Sequence, residues 1–144
     1  MPVLSDRYPE SDFHPEGKKM RRLICGDAYV DDLLGARDAF NHEWQAYCNN
    51  QLWGRTWARG ILQHQQLSLI NLGMLAGLGR MEEWEMHFRI ALKVTGVPLV
   101  QLRETMLHIG MYCGIPVARD CFVIARRVLK EENVDLSVLD EPAA

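Results

Sequence analysis

The sequence has 144 residues, of which 48% are hydrophobic, and it carries a formal net charge of −3. This length and apolar content suffice for one domain with a sizeable core, so we expect no second domain. Charges of both signs are mixed along the chain and the basic run at 18–22 is short, which disfavours nucleic acid as a partner.

The apolar stretches and the cysteines indicate the cellular compartment of the protein. The most apolar segment, residues 67–78, is too short to span a bilayer, and the first residues lack the apolar core of a signal peptide. The four cysteines show neither a C-x-x-C pair nor the spacing of a zinc site: Cys25, Cys48, Cys113 and Cys121. We therefore expect a cytoplasmic protein with free thiols, no membrane partner and no bound metal.

Helical periods run along almost the whole chain, without a sustained alternating strand pattern, so the fold class should be all-α. Residues 1–26 should form an irregular N-terminal arm, because four residues there discourage regular structure: Pro2, Pro9, Pro15 and Gly17. A helical region should begin at Asp27, break near Gly35 and end near residue 50, before a compact aromatic turn, "LWGRTWARG", at 52–60.

Four further helices are predicted after the aromatic turn. Glycines at 79, 96 and 114 are placed as helix stops, and prolines at 98 and 116 as helix starts. The predicted ranges are 63–78, 81–95, 98–112 and 116–130. The helical domain should therefore cover residues 27–131, and an acidic tail should follow at 132–144.

The helix at 67–78 is apolar on nearly all sides, which favours a central position surrounded by other helices. Its small residues, Gly73, Ala76 and Gly77, would let other backbones approach closely. Packing against another subunit is the alternative explanation for the same pattern.

The segment "MEEWEMHFRI" at 81–90 contains an ionisable pair, Glu83 and His87, one helical turn apart. On a helical wheel both fall inside the apolar arc, opposite the charged arc of Glu85 and Arg89. We therefore expect both to be buried or to face a cavity. A buried carboxylate and imidazole need partners, so the pair indicates either a structural link between helices or a functional site.

Several segments in a fixed order resemble the 4-carboxymuconolactone decarboxylase family: "GDAYVD" (26–31), "LWGRTWARGIL" (52–62), "LSLINLGMLAGLGRMEEWEMHFRIAL" (67–92) and "LRETMLHIGMYCGIP" (102–116). This resemblance implies the helical fold of the alkylhydroperoxidase D (AhpD)-like group and a homo-oligomer, typically a hexameric ring. It also implies cofactor-free decarboxylation of 4-carboxymuconolactone or a related unsaturated lactone carboxylate, in the β-ketoadipate pathway of aromatic catabolism.

Two other functions remain open. The peroxidase branch of the AhpD-like group uses a C-x-x-C pair followed four residues later by a histidine. Here the corresponding positions hold Arg80 and Glu83, with His87 after them, so no dithiol can form. A non-catalytic oligomer that binds a small molecule is the third possibility.

The reaction assigns roles to particular residues. His87 would protonate the dienolate that loss of carbon dioxide leaves, and Glu83 would set the tautomer and basicity of its ring. The predicted substrate-binding residues are Arg59 of the W-x-R pattern, Trp53, Trp57, Ser68 and Tyr112. Tyr112 could equally anchor the end of its helix, and Arg55 is better explained as a surface residue.

Two further features bear on the site. Glu104 and His108 are also one turn apart, but they fall away from the apolar stripe of their helix, and we expect a surface or interface pair. Where the family usually has Arg-Ser-Leu, this chain has Leu67-Ser68-Leu69. If that arginine holds a substrate carboxylate, we expect the parent substrate to bind poorly here, with activity shifted to a related lactone or lost. If it pairs with another subunit, the change is silent.

Overall fold

A computed structural model describes residues 8–140. Within that range the chain is helical and contains no strand, which confirms the predicted all-α class. It forms two compact units, divided between Leu62 and Gln63, inside the stretch 27–131 that the sequence analysis treats as one helical domain. The predicted domain boundaries stay a prediction.

The first unit contains three α-helices and two short helical turns. The α-helices are α1 (Pro15–Cys25), α2 (Asp27–Gly35) and α3 (His42–Tyr47), and α3 continues into a π-helical turn, Cys48–Gly54. A 3₁₀ turn, Trp57–Arg59, follows. Together the two turns form the aromatic turn that the sequence predicts.

Helix α1 contradicts the prediction of an irregular arm for residues 1–26; residues 1–7 lie outside the described range. The prolines misled the prediction, because Pro15 occupies the first turn of the helix, where a proline has no hydrogen bond to lose. The ring of His14 caps the helix by accepting a hydrogen bond from the Gly17 amide at 3.3 Å. The Asn50 side chain in turn accepts from the backbone amide of His14.

The second unit contains four α-helices whose ranges agree with the sequence prediction to within two residues. They are α4 (His64–Gly77), α5 (Met81–Lys93), α6 (Leu99–Cys113) and α7 (Ile115–Glu131), and a 3₁₀ turn at Leu136–Asp140 follows. The predicted glycine stops are confirmed, because Gly79, Gly96 and Gly114 all adopt a positive φ between these helices.

The core of the second unit is formed by apolar side chains from all four helices, among them Leu72, Trp84, Phe88, Leu102 and Val128, all with no exposed surface. The indole Nε1 of Trp84 donates to the backbone carbonyl of Leu72 at 3.1 Å, which joins α5 to α4. No described helix is both long and apolar enough to cross a membrane.

Helix α4 is only partly enclosed, which corrects the expectation of a central helix surrounded on all sides. Ser68, Leu72 and Ala76 are buried on one side. On another side Met74 and Leu78 are 53% and 73% exposed. An all-round apolar pattern shows that every face is compatible with burial, but it does not say which neighbour covers each face.

Candidate active site

Helix α5 carries the predicted catalytic residues and separates its faces largely as the wheel predicts. Trp84, Phe88 and Ala91 are completely buried on the inner face. On the outer face the Arg89 guanidinium is paired with Glu85, with an N–O distance of 3.4 Å, and with Glu131 and Glu132 at the end of α7. These ion pairs connect the outer face of α5 to α7, while the inner face of α5 packs in the core.

His87 is half-buried on α5 and faces α4. Its Nδ1 lies 3.5 Å from the side-chain nitrogen of Asn71. Burial lowers the pKa of His87, and the nearby carboxylate of Glu83 opposes this shift. The other ring nitrogen, Nε2, has no hydrogen bond to the described part of the chain. The His87 side chain as a whole keeps part of its surface exposed.

Glu83 is not buried, which corrects its predicted position. Its side chain is 45% exposed, and its carboxylate accepts a hydrogen bond from the Arg80 guanidinium at 3.0 Å. This hydrogen bond lowers the pKa of Glu83 and keeps it ionised. Glu83 lies in the first turn of α5, where the wheel places it on the inner side, yet its own side chain stays partly exposed. It acts on His87 through its charge, without a hydrogen bond to the ring.

Ser68, a predicted substrate-binding residue, is completely buried on α4. Its hydroxyl is hydrogen-bonded to the hydroxyl of Thr95, just after α5, with an O–O distance of 2.8 Å. The hydroxyl therefore joins two segments of the unit. A role in substrate binding stays a prediction, and the structure gives Ser68 a structural role.

The aromatic turn belongs to the first unit. Trp53 and Trp57 are both buried, with their ring centroids 5.5 Å apart. Arg59 is exposed and has no ion pair within residues 8–140, so its guanidinium is available to an anion. Arg55 is exposed, as expected. Substrate binding by Arg59 and the two tryptophans stays a prediction.

A groove of about 650 Å³ lies between α4 and α6 in the second unit. Its lining combines Leu69, Ile70, Gly73 and Ile109 with a polar rim of Glu104, Thr105, His108 and Tyr112, and with Cys113. Tyr112, a predicted substrate-binding residue, is 82% exposed and stacks against His108 with ring centroids 4.8 Å apart. Glu104 and His108 are exposed, as the sequence predicts.

The sequence analysis missed Asn71 and the groove. A signal for Asn71 was present, because it is one of two polar residues in the apolar run 67–78 and follows the other, Ser68, by three residues, on neighbouring parts of one helix face. The groove has no such signal, since it depends on which faces of α4 and α6 stay uncovered.

The cysteines are all free thiols, as predicted. Burial raises the pKa of Cys25 and of Cys121 to about 11, and it also raises the pKa of Cys48. At these three cysteines the thiolate, which is the reactive form in peroxide reduction, is therefore scarce at neutral pH. Across residues 8–140 no three His, Cys, Asp or Glu side chains come together as metal ligands would.

Comparison with known proteins identifies the family. The model of the carboxymuconolactone decarboxylase family matches residues 40–127. The 4-carboxymuconolactone decarboxylase of Acinetobacter baylyi is 30% identical over 121 residues, which cover 84% of this chain and 90% of that protein. The nitrosuccinic acid decarboxylase npaB of Metarhizium robertsii is 30% identical over 116 residues, which cover 81% and 80% of the two chains. No solved structure matches the chain significantly. The chain belongs to the carboxymuconolactone decarboxylase family.

Proposed function

We propose that the protein is a decarboxylase that acts on a small carboxylate without a cofactor, with His87 as the catalytic residue. The observation that carries this proposal is the environment of the ring: His87 is half-buried, Nδ1 is next to Asn71, and Nε2 has no hydrogen bond to the described chain. The two relatives support the reaction type, because both are named decarboxylases.

The names of the relatives' substrates share a chemical feature. In 4-carboxymuconolactone the carboxylate that leaves is on a ring carbon that also bears an acetate arm and is attached to a C=C bond conjugated to the lactone carbonyl. In nitrosuccinic acid the corresponding carbon bears an acetate arm and a nitro group. Each molecule therefore contains its own electron sink, and no cofactor is needed. We infer that the substrate is a dicarboxylate of this kind, with 4-carboxymuconolactone or a related unsaturated lactone carboxylate as the first choice.

On the lactone the reaction runs in two steps. The bond from the ring carbon to the carboxylate breaks, carbon dioxide leaves, and the electron pair moves through the C=C bond onto the lactone carbonyl. The resulting dienolate then takes a proton on carbon from protonated His87, and the ring regains that proton from solvent. Burial lowers the pKa of His87 in the free protein, but a bound dianion would raise it, so the ring would take up its proton together with the substrate.

The substrate's carboxylates need cations or hydrogen-bond donors. Tyr112 of the second unit is a predicted donor, and in the first unit carboxylate binding by Arg59, with Trp53 and Trp57 near it in the chain, stays a prediction. Leu67 replaces the usual family arginine, so we expect the second carboxylate to bind more weakly here or a different substrate to be used, unless that arginine pairs only with another subunit. We also assign the protein to the cytoplasm and to aromatic catabolism.

We further propose a homo-oligomer, with a hexamer as the family's usual form. Large apolar side chains remain exposed on the second unit, which supports association with copies of the chain. Among them are Ile70 and Met74 of α4, Leu78 just after it, Leu107 and Met111 of α6, and Ile115 of α7. Size-exclusion chromatography with light scattering measures the subunit number, and a monomer at micromolar concentration would contradict this proposal.

The test of function is release of carbon dioxide from 4-carboxymuconolactone by the purified protein, with nitrosuccinate as a second substrate. His87→Gln should lower kcat by about 10²- to 10⁴-fold, the usual loss when a proton donor is removed, and should leave the oligomer intact. The matched control is His108→Gln, because His108 also follows a glutamate by one turn but lies in the groove. A large loss with His108→Gln and none with His87→Gln would move the reaction to the groove.

The thiol peroxidase alternative has a separate test. Because the chain has no C-x-x-C pair and burial raises the pKa of Cys25, Cys48 and Cys121, we expect negligible peroxide reduction. Cysteine-dependent peroxide turnover, abolished in a variant with all four cysteines replaced by serine, would contradict the decarboxylase assignment. Tight binding of these acids without turnover would instead favour the non-catalytic binder.

A further inference from the structure

Asn71 is a polar residue on the face of α4 that meets α5, in the middle of an apolar helix. Its side-chain nitrogen, Nδ2, lies 3.5 Å from Nδ1 of His87. An amide nitrogen is a donor only, so Nδ1 has to be the acceptor in this contact. A neutral imidazole that accepts at one nitrogen carries its proton on the other.

Two buried hydrogen bonds fix the geometry of this contact. Three residues before Asn71, the Ser68 hydroxyl is bonded to Thr95 at 2.8 Å. One residue after it, the carbonyl of Leu72 accepts from Trp84 Nε1 at 3.1 Å. Because one bond lies before and the other directly after Asn71, α4 cannot slide or rotate against α5 without breaking one of them.

We propose that Asn71 is the positioning residue of His87: its amide donates to Nδ1 and holds the neutral ring in the tautomer that carries the proton on Nε2. This rests on the proposed function, in which His87 exchanges a proton with the substrate. Asn71 itself does not touch the reacting atoms. It leaves the other nitrogen, Nε2, to do so.

The other candidate for this role is Glu83, which the sequence analysis chose. Its carboxylate is engaged by Arg80, and it affects His87 only through its charge. A carboxylate at Nδ1 would accept a hydrogen bond and place the proton on Nδ1, whereas an amide can donate to the neutral ring. In the protonated ring both nitrogens carry a proton, and half a turn of the Asn71 amide brings its oxygen into position to accept from Nδ1–H. The Nε2 proton is then the one that goes to the dienolate. The ring keeps its proton on Nδ1 until solvent protonates Nε2 again.

The tautomer can be measured on the whole protein without any substrate. We would record ¹⁵N NMR spectra of the His87 ring, assigned by comparison with His87→Gln. The native protein and the control Met74→Leu, on the exposed side of α4, should both show the proton on Nε2. Asn71→Asp should move the proton to Nδ1 and raise the pKa of His87, and Asn71→Ala should give a mixture of tautomers. A proton on Nδ1 in the native protein, or an unchanged tautomer in both Asn71 variants, would overturn the proposal.

Catalysis gives a second readout. Asn71→Ala should lower kcat about 10- to 100-fold, the usual range for a residue that orients a functional imidazole, with little change in KM. In Asn71→Asp the pH profile of kcat should shift with the pKa that NMR reports. If kcat falls while the tautomer and the pKa stay native, Asn71 does not act through His87. If the tautomers change as expected but no variant of the protein releases carbon dioxide, the positioning role stands and the proposed function fails.

Discussion

Ser68 and Thr95 allow a quantitative test of whether a predicted substrate-binding residue is structural. We consider Ser68→Ala, Thr95→Val and the double variant. A neutral hydrogen bond contributes about 0.5–1.5 kcal/mol net, and leaving a buried polar group without a partner costs about 1–3 kcal/mol. Ser68 is completely buried, whereas Thr95 retains some exposure.

This difference in burial makes the two single variants unequal. Ser68→Ala leaves the Thr95 hydroxyl, which water can reach, so the free energy of unfolding should fall by about 1 kcal/mol. Thr95→Val leaves the Ser68 hydroxyl buried, so the loss should be about 1–3 kcal/mol. The double variant should lose less than the sum, with a coupling of about 1 kcal/mol.

Urea unfolding followed by tryptophan fluorescence and circular dichroism measures these free energies, and KM is measured on the same variants. We expect KM to stay native in Ser68→Ala. Strictly additive losses, or a larger loss for Ser68→Ala than for Thr95→Val, would refute the reasoning. A raised KM in Ser68→Ala with native stability would instead return Ser68 to the substrate-binding residues.

Three further predictions follow from burial and packing. Because burial lowers the pKa of His87, the unfolded chain takes up a proton on this residue first as the pH falls. The free energy of unfolding should therefore decrease below about pH 6.5 and level off below the pKa of the folded protein. His87→Gln should remove this pH dependence, and an unchanged pH curve in that variant would contradict the prediction. Gly17→Ala should destabilise the first unit by about 1–3 kcal/mol or more, because the new Cβ would lie 2.3 Å from the carbonyl oxygen of Asn49; a native urea midpoint would contradict that clash. Gly73→Ala should stabilise α4 by about 0.5–1 kcal/mol, since no atom lies within 4 Å of the new Cβ, and a lower midpoint would show that something covers this position.

The sequence predicts the helices of the second unit well because each is bounded by a local signal. Gly79, Gly96 and Gly114 adopt the positive φ that ends a helix, and these residues act within a few positions of themselves. The same local reasoning failed at Pro15, which was read as a helix breaker although a proline in the first turn favours a helix start.

The site was only partly predictable because burial depends on neighbours distant in the chain. The helical wheel placed both Glu83 and His87 on the inner face of α5. His87 meets Asn71 of α4. Glu83 is in the first turn of α5, where Arg80 is its partner and its side chain stays partly exposed. A wheel gives directions around one helix and does not show how far a neighbour covers each side chain.

The thiol of Cys121 is completely enclosed in α7, among the core side chains of the second unit. A water-soluble alkylating reagent can reach it only when that core opens, and its high pKa makes reaction of any partly open form slow. The labelling rate of Cys121, compared with that of the more accessible Cys113, therefore measures how often the core of this unit opens under native conditions. A bound substrate that slows labelling at Cys121 would report its own affinity without any turnover.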